Sequence, residues 1–156
     1  MADVNRKWKV LVAESVGEAG LRMLREAPDI ELIEEVGMSR EDLLKRLPEM
    51  DAVLTRSGTK MDEEALNAAV NLKVIARAGV GVDNVNVPVA SRKGIVVINA
   101  PTGNTLAAAE LTMALMLALV RKVPQAFGSL RNGEWDRKRF SGHQLSGKKA
   151  LVLGLG

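Results

Sequence analysis

At 156 residues, 47% hydrophobic and 26% charged, the chain has the balance of a soluble globular protein, with length for one full domain and some left over. It has no cysteine, which excludes disulfides and thiolate metal sites, and MADVNRKWKV at its start has no signal-peptide apolar region, so a cytoplasmic protein is expected. Aromatics are only 3%, so the core must be aliphatic, and the net charge of +3 is carried by the last quarter of the chain: residues 121–156 hold 8 basic and 2 acidic side chains.

Lys9 to Ala13 reads as a first strand, and Ser15 is placed to cap a helix from about Glu18 to Glu26. Ile30 to Ile33 gives a more polar strand suited to a sheet edge. Ser39 with Asp42 three residues on predicts a capping box opening the helix of Leu43, Leu44 and Leu47. Ala52 to Leu54 is a third strand, ending in Thr55-Arg56-Ser57-Gly58, and Asp62 caps the helix with Ala65, Leu66 and Ala69 facing inward. The apolar run Val74-Ile75-Ala76 is a fourth strand that breaks into Arg77-Ala78-Gly79-Val80-Gly81. A helix then starts at Asn86, with Pro88 near its N-terminus. Ile95 to Ile98 is the fifth strand, followed by the turn Asn99 to Asn104.

Five short strands alternating with helices predict an α/β fold, a doubly wound parallel sheet covered on both faces. The right-handed crossover rule favours a flavodoxin-like strand order. Ligands in such sheets gather beyond the carboxyl ends of the strands, where Arg56 and Arg77 end successive strands, each close to glycine. A strand ending in glycines lets backbone N–H groups approach a ligand, and a cation beside them can hold an anion. The bland reading is a plain βα turn with each arginine reaching into water independently.

Thr105 to Val123 is predicted as a long helix, apolar around nearly its whole circumference, which must be buried between domains or subunits. The longest apolar stretch, Leu111 to Val120, is too short to span a bilayer, and no membrane association is expected. Pro124 is read as its end. Gln125 to Gly147 reads as a basic connector that packs through Trp135 and Phe140. It has neither aromatic interleaving nor a nucleic-acid motif, so no nucleic-acid partner is expected. Ala150 to Leu153 reads as a sixth strand running into Gly154-Leu155-Gly156. A strand before Gly-x-Gly opens a dinucleotide fingerprint, whose third glycine and acidic residue belong about 3 and about 20 positions further on. Neither is present, so the end is read as a truncation inside a nucleotide-binding domain.

Rival five-strand folds fail on particular residues. A phospho-receiver needs an aspartate ending strand three, where Arg56 stands, and a pair of acids after strand one, where Glu14 is alone. A flavodoxin needs a hydroxyl-rich phosphate loop after strand one, and Glu14-Ser15-Val16-Gly17-Glu18 is not one.

Taken together, Arg56-Ser57-Gly58-Thr59-Lys60, Arg77 through Asn84, Asn99 through Asn104, Ala109-Glu110-Leu111-Thr112 and Gly133-Glu134-Trp135 through Gly154-Leu155-Gly156 resemble the D-2-hydroxyacid dehydrogenases, and within them the D-3-phosphoglycerate dehydrogenases. The resemblance covers nearly the whole chain, in order and at family spacing. It implies a flavodoxin-like substrate-binding domain over residues 1–100. Residues 101–156 would be the start of an NAD-binding domain, with a long helix 105–123, a connector 124–147 and a strand 149–154. It further implies hydride transfer between NAD and C2 of 3-phosphoglycerate, feeding serine synthesis. Arg56 and Ser57 would meet the substrate phosphate, with Lys60 nearby. The backbone of Ala78, Gly79, Val80 and Gly81 would hold the carboxylate, supported by Arg77. Val80 and Asn104 would line the cleft for the nicotinamide, and Gly154 and Gly156 would begin the pyrophosphate loop. The family's catalytic Arg, Glu and His fall outside these residues, so no catalytic residue is expected in this chain and no turnover by it alone. His143, the sole histidine, is read as a surface residue. A homodimer through helix 105–123 is expected, and the alternative is a non-catalytic module that only binds anions or dimerises.

Overall fold

A computed structural model describes residues 6–154. It divides into two units, Met1–Asn104 and Thr105–Gly156. The first alternates strands and helices as the apolar runs predict: β1 Trp8–Val12, α1 Glu18–Glu26, β2 Ile30–Glu34, α2 Arg40–Arg46, β3 Ala52–Thr55, α3 Glu63–Ala68, β4 Val74–Arg77, α4 Val87–Arg92 and β5 Val96–Asn99. All strands are parallel, in the order β2-β1-β3-β4-β5, which is the flavodoxin-like order.

Three helix starts follow from short polar side chains. Ser39 Oγ accepts from the Asp42 N–H at 3.1 Å, Asp62 Oδ1 from Ala65 N–H at 3.1 Å, and Asn86 Oδ1 from Val89 N–H at 3.2 Å. The fourth expectation is corrected. Gly17, not Ser15, is the N-cap of α1, and no side chain caps that helix.

Register explains where the core sits. Leu11, Val53, Ile75 and Val97 lie in one row across β1, β3, β4 and β5, on one face of the sheet. Leu11, Val53 and Ile75 are wholly buried, and they join Leu47, Met50, Met61, Leu66 and Ala90 in one cluster. α2 packs on α3 and α3 on α4, so these three form the cover of that face. The rows Val10-Ala52-Val74-Val96 and Val12-Leu54-Ala76-Ile98 occupy the other face. Only the β1-to-β2 crossover runs in the opposite direction, so right-handedness sends α1 alone to that side. Burial there fades toward β5, where Val96 and Ile98 are half exposed, so that cover on this second face is partial.

The second unit departs from its predicted secondary structure at two places. The long helix ends early: α5 spans Thr105–Val120, the chain turns at Arg121 and Lys122, and a further helix α6 spans Val123–Arg131. Lys122 carries the turn with a left-handed φ of 53°. Pro124 therefore opens a helix instead of closing one, because a proline in the first turn lacks only an N–H that has no partner there anyway. Part of the supposed connector is thus helical. The sixth strand is also corrected. Residues 149–154 form no strand, since among the described residues nothing pairs with their backbone in a ladder.

α5 buries none of its residues, against the expectation drawn from its apolar circumference; Leu106, Leu115 and Leu119 are each at least 60% exposed. After α6 the chain passes back over the end of α5, where the His143 N–H donates to the Val120 carbonyl at 2.8 Å. A Cβ on Gly142 would lie 2.4 Å from that carbonyl oxygen, so glycine is required for the crossing. Of the two expected anchors only Phe140 is partly buried, while Trp135 is 76% exposed. His143 is exposed, as predicted.

Candidate functional site

The turns after β3, β4 and β5 come together at the carboxyl edge of the sheet. The Ala78 N–H donates to the Thr55 carbonyl at 2.8 Å, joining the ends of β3 and β4. Asn84 reaches back and donates from Nδ2 to the carbonyls of Arg56 and Thr59, both at 2.7 Å. From β5, Asn99 Nδ2 donates to the Val80 carbonyl at 2.6 Å, and the Ala100 N–H to that of Gly79 at 2.9 Å. Three loops distant in sequence are therefore tied by side-chain amides and backbone into one rim.

The Arg56 loop is built around an acid. Glu14, two residues beyond β1, accepts through Oε1 from the Thr55 hydroxyl (2.8 Å), the Arg56 N–H (2.9 Å) and the Thr59 N–H (2.7 Å). Its Oε2 accepts from the Gly58 N–H at 3.1 Å. Burial pushes the Glu14 carboxyl up, but the backbone donors of Thr59 and Arg56 and the Thr55 hydroxyl outweigh it and hold the pKa down at about 2. The N–H of Ser57, between these donors, meets no acceptor among the described residues, and the Arg56 side chain is exposed. Lys60 is exposed and lines a cleft of about 590 Å³ with Glu14, Met38, Leu43 and Gly58, while its carbonyl accepts from Arg40 at 2.9 Å.

The glycine loop has a different support. Arg77 does not extend into water: its side chain is only 12% exposed and lies 3.8 Å from the Asp83 carboxylate. A Cβ on Gly79 would stand 2.5 Å from Arg77 Nη1, so the missing side chain is what lets the guanidinium lie against the loop. Arg77 Nε and Asn84 Oδ1 are buried without a partner among the described residues. Of the loop's N–H groups, those of Ala78 and Gly79 are bonded to the Thr55 and Arg77 carbonyls. Those of Val80 and Gly81 meet no acceptor among the described residues, and both residues are exposed. The rim can therefore take a small anion on the N–H groups of Ser57, Val80 and Gly81 with two guanidinium groups beside them.

Arg56, Ser57, Arg77, Ala78, Gly79, Val80 and Gly81 are thus brought together by the three linked loops. Asn104 stands at the exposed turn that closes the first unit, with no side-chain hydrogen bond to these loops. Gly154 belongs to the second unit and has a left-handed φ of 87°. Gly156 lies outside the described residues. The residues that hold the rim together, Glu14, Asn84 and Asn99, were not singled out as site residues from sequence. The available signal was position: Glu14 follows the strand beside the point where strand order reverses, Asn84 stands in the turn after β4, and Asn99 ends β5.

An α/β protein of flavodoxin-like order, with arginines at its strand ends beside N–H groups that meet no acceptor among the described residues, is the class that fold and site define. Within it, the model of the D-isomer specific 2-hydroxyacid dehydrogenase catalytic domain matches residues 10–149, and the chain belongs to that family. It is 51% identical over 148 residues to the D-3-phosphoglycerate dehydrogenase of Archaeoglobus fulgidus and 42% identical to that of Homo sapiens. Both alignments cover 95% of this chain and 28% of the relative, so the chain spans just over a quarter of those proteins. Among solved structures it is similar to the NAD+-bound 3-phosphoglycerate dehydrogenase of Entamoeba histolytica, with a TM-score of 0.66 and 31% identity over 74% of this chain and 40% of that one.

Proposed function

We propose that this chain is the substrate-binding portion of an NAD-dependent D-3-phosphoglycerate dehydrogenase, which oxidises C2 of 3-phosphoglycerate to 3-phosphohydroxypyruvate. The observation that carries this reading is the pair of arginines at successive strand ends, each beside N–H groups that meet no internal acceptor. In this reading Arg56, with the Ser57 N–H and Lys60 nearby, meets the phosphate. The N–H groups of Val80 and Gly81 take the carboxylate. Arg77 supports that loop from beneath, and Asn99 orients it by holding the Val80 carbonyl.

NAD, when bound, accepts the hydride. Val80, Asn104, Gly154 and Gly156 are the proposed contacts. Gly154 suits that role, since its left-handed backbone is one glycine adopts readily and no heavy atom lies within 4 Å of where a Cβ would stand. Residues 1–100 are assigned to the substrate-binding part and 101–156 to the opening of the cofactor-binding part. No helix among the described residues is long and apolar enough to cross a membrane, and a cytoplasmic location is proposed. The uncovered apolar surface of α5 favours a homodimer through that helix.

The test is a titration of the isotope-labelled chain with 3-phosphoglycerate. Weak, saturable amide shifts at Ser57, Val80 and Gly81 are expected, and Arg56→Ala should reduce affinity by roughly 1.5–3 kcal/mol, the size of a charge-assisted contact. Equal binding with and without Arg56 would overturn the phosphate assignment.

A further inference from the structure

Three N–H groups of one short loop, those of Arg56, Gly58 and Thr59, converge on a single point together with the Thr55 hydroxyl. Converging backbone donors of this sort make a nest that binds an anion. The occupant here is internal, the Glu14 carboxylate. Every hydrogen bond that this carboxylate makes is to residues 55–59, so its effect falls on the loop that carries Arg56. Four donors aimed at one group need the lone pairs of an ionised carboxylate; an amide would turn its NH2 toward one of them. Gly58 is part of the same fit, since a Cβ there would lie 3.0 Å from Glu14 Oε2.

We propose that Glu14 is a positioning residue for anion binding: a built-in anion that holds the 55–59 loop in its binding shape and keeps external anions out of the nest. With the nest filled, an incoming phosphate is left the Arg56 guanidinium, the Ser57 N–H and Lys60, which lie outside it. The negative charge beneath a rim that receives an anion is offset by the donors gathered on it. This inference rests on the proposed role of Arg56 and Ser57, and it assigns the selectivity of that loop to a residue beyond a different strand.

The test uses the 156-residue chain, Glu14→Ala and Glu14→Gln, with 3-phosphoglycerate and sodium formate as probes. Both variants should bind 3-phosphoglycerate roughly tenfold more weakly than the parent. Formate should enter the space left in Glu14→Ala and return the Arg56, Gly58 and Thr59 amide signals toward their parent positions. It should also restore affinity for 3-phosphoglycerate, whereas Glu14→Gln, whose site is filled, should not respond. A merely structural role would give no formate-dependent recovery of binding. Unchanged or tighter binding in either folded variant overturns the proposal, as does failure of formate to move those three amides in Glu14→Ala. If Glu14→Ala does not fold, Glu14→Gln decides by its affinity and its loop amide positions. If the parent itself fails to bind 3-phosphoglycerate, the assignment of Arg56 and Ser57 to its phosphate falls, and the formate response still decides whether Glu14 occupies the nest.

Discussion

Glu14 shows how one residue sets the chemistry of a surface it does not itself form. Its folded carboxyl titrates near 2 against an ordinary value of 4.5. The resulting stabilisation is complete above the ordinary value and is lost as the pH falls through the folded one. It is worth at most about 3 kcal/mol, less the solvent screening of a half-buried group. Urea unfolding between pH 5 and pH 2 should therefore show a steeper loss of stability for the parent than for Glu14→Gln; parallel curves would remove the assigned role of the four donors. Gly79 is the second informative position. A methyl group there would collide with the Arg77 guanidinium, at the far end of a side chain that can swing away. Gly79→Ala should keep the fold, displace Arg77 and weaken 3-phosphoglycerate binding, with the Val80 and Gly81 amide shifts reduced in the same titration.

Among the elements, α2 and α5 mark opposite extremes. α2 is seven residues long and is held by its start: Ser39 caps it, acids occupy its first turn and Lys45 and Arg46 its last. Ser39→Ala should cost about 1 kcal/mol in chemical denaturation, with little change in the spectrum of the native state. α5 has no charged residue in its first or last turn and no buried residue, and it is apolar around nearly its whole circumference. Each large side chain left in water forgoes about 1.5–3 kcal/mol relative to full burial. If two chains cover these helices mutually, light scattering at tens of micromolar gives a dimeric mass, and Leu115→Lys with Leu119→Lys lowers it to that of the monomer. A monomeric parent would remove the dimer. A dimer indifferent to both lysines would move its interface elsewhere.

For the molecule as a whole, the sheet order brings the ends of β3, β4 and β5 to one edge, where Arg56 and Arg77 stand beside N–H groups that meet no acceptor among the described residues. The chain spans just over a quarter of the D-3-phosphoglycerate dehydrogenases it matches. The chain alone should therefore produce no NADH from NAD and 3-phosphoglycerate at any pH between 6 and 10, followed at 340 nm. Production that scales with a contaminant-free preparation would place a general base within the residues present, and Glu14, already committed to four donors, would be a poor candidate for it.

The sequence by itself determined the five strands, the parallel flavodoxin-like sheet, the side-chain caps at Ser39 and Asp62 and the helix start at Asn86. Each depends on apolar runs or on polar residues within three positions of one another, and such interactions are local. It also located Arg56 and Arg77, because strand ends can be found from the runs that precede them. Tertiary structure decided the rest. Glu14 reaches its donors across more than 40 positions and Asn84 across 25 and 28, distances over which no periodicity operates. Whether Arg77 extends into water or folds beneath Gly79 depended on packing in the loop. Pro124 could equally end one helix or begin another, and only the turn at Lys122 selected the second. The last apolar run, Ala150 to Leu153, has the composition of a strand, but a strand is defined by the neighbour it bonds to, and among the described residues it has none.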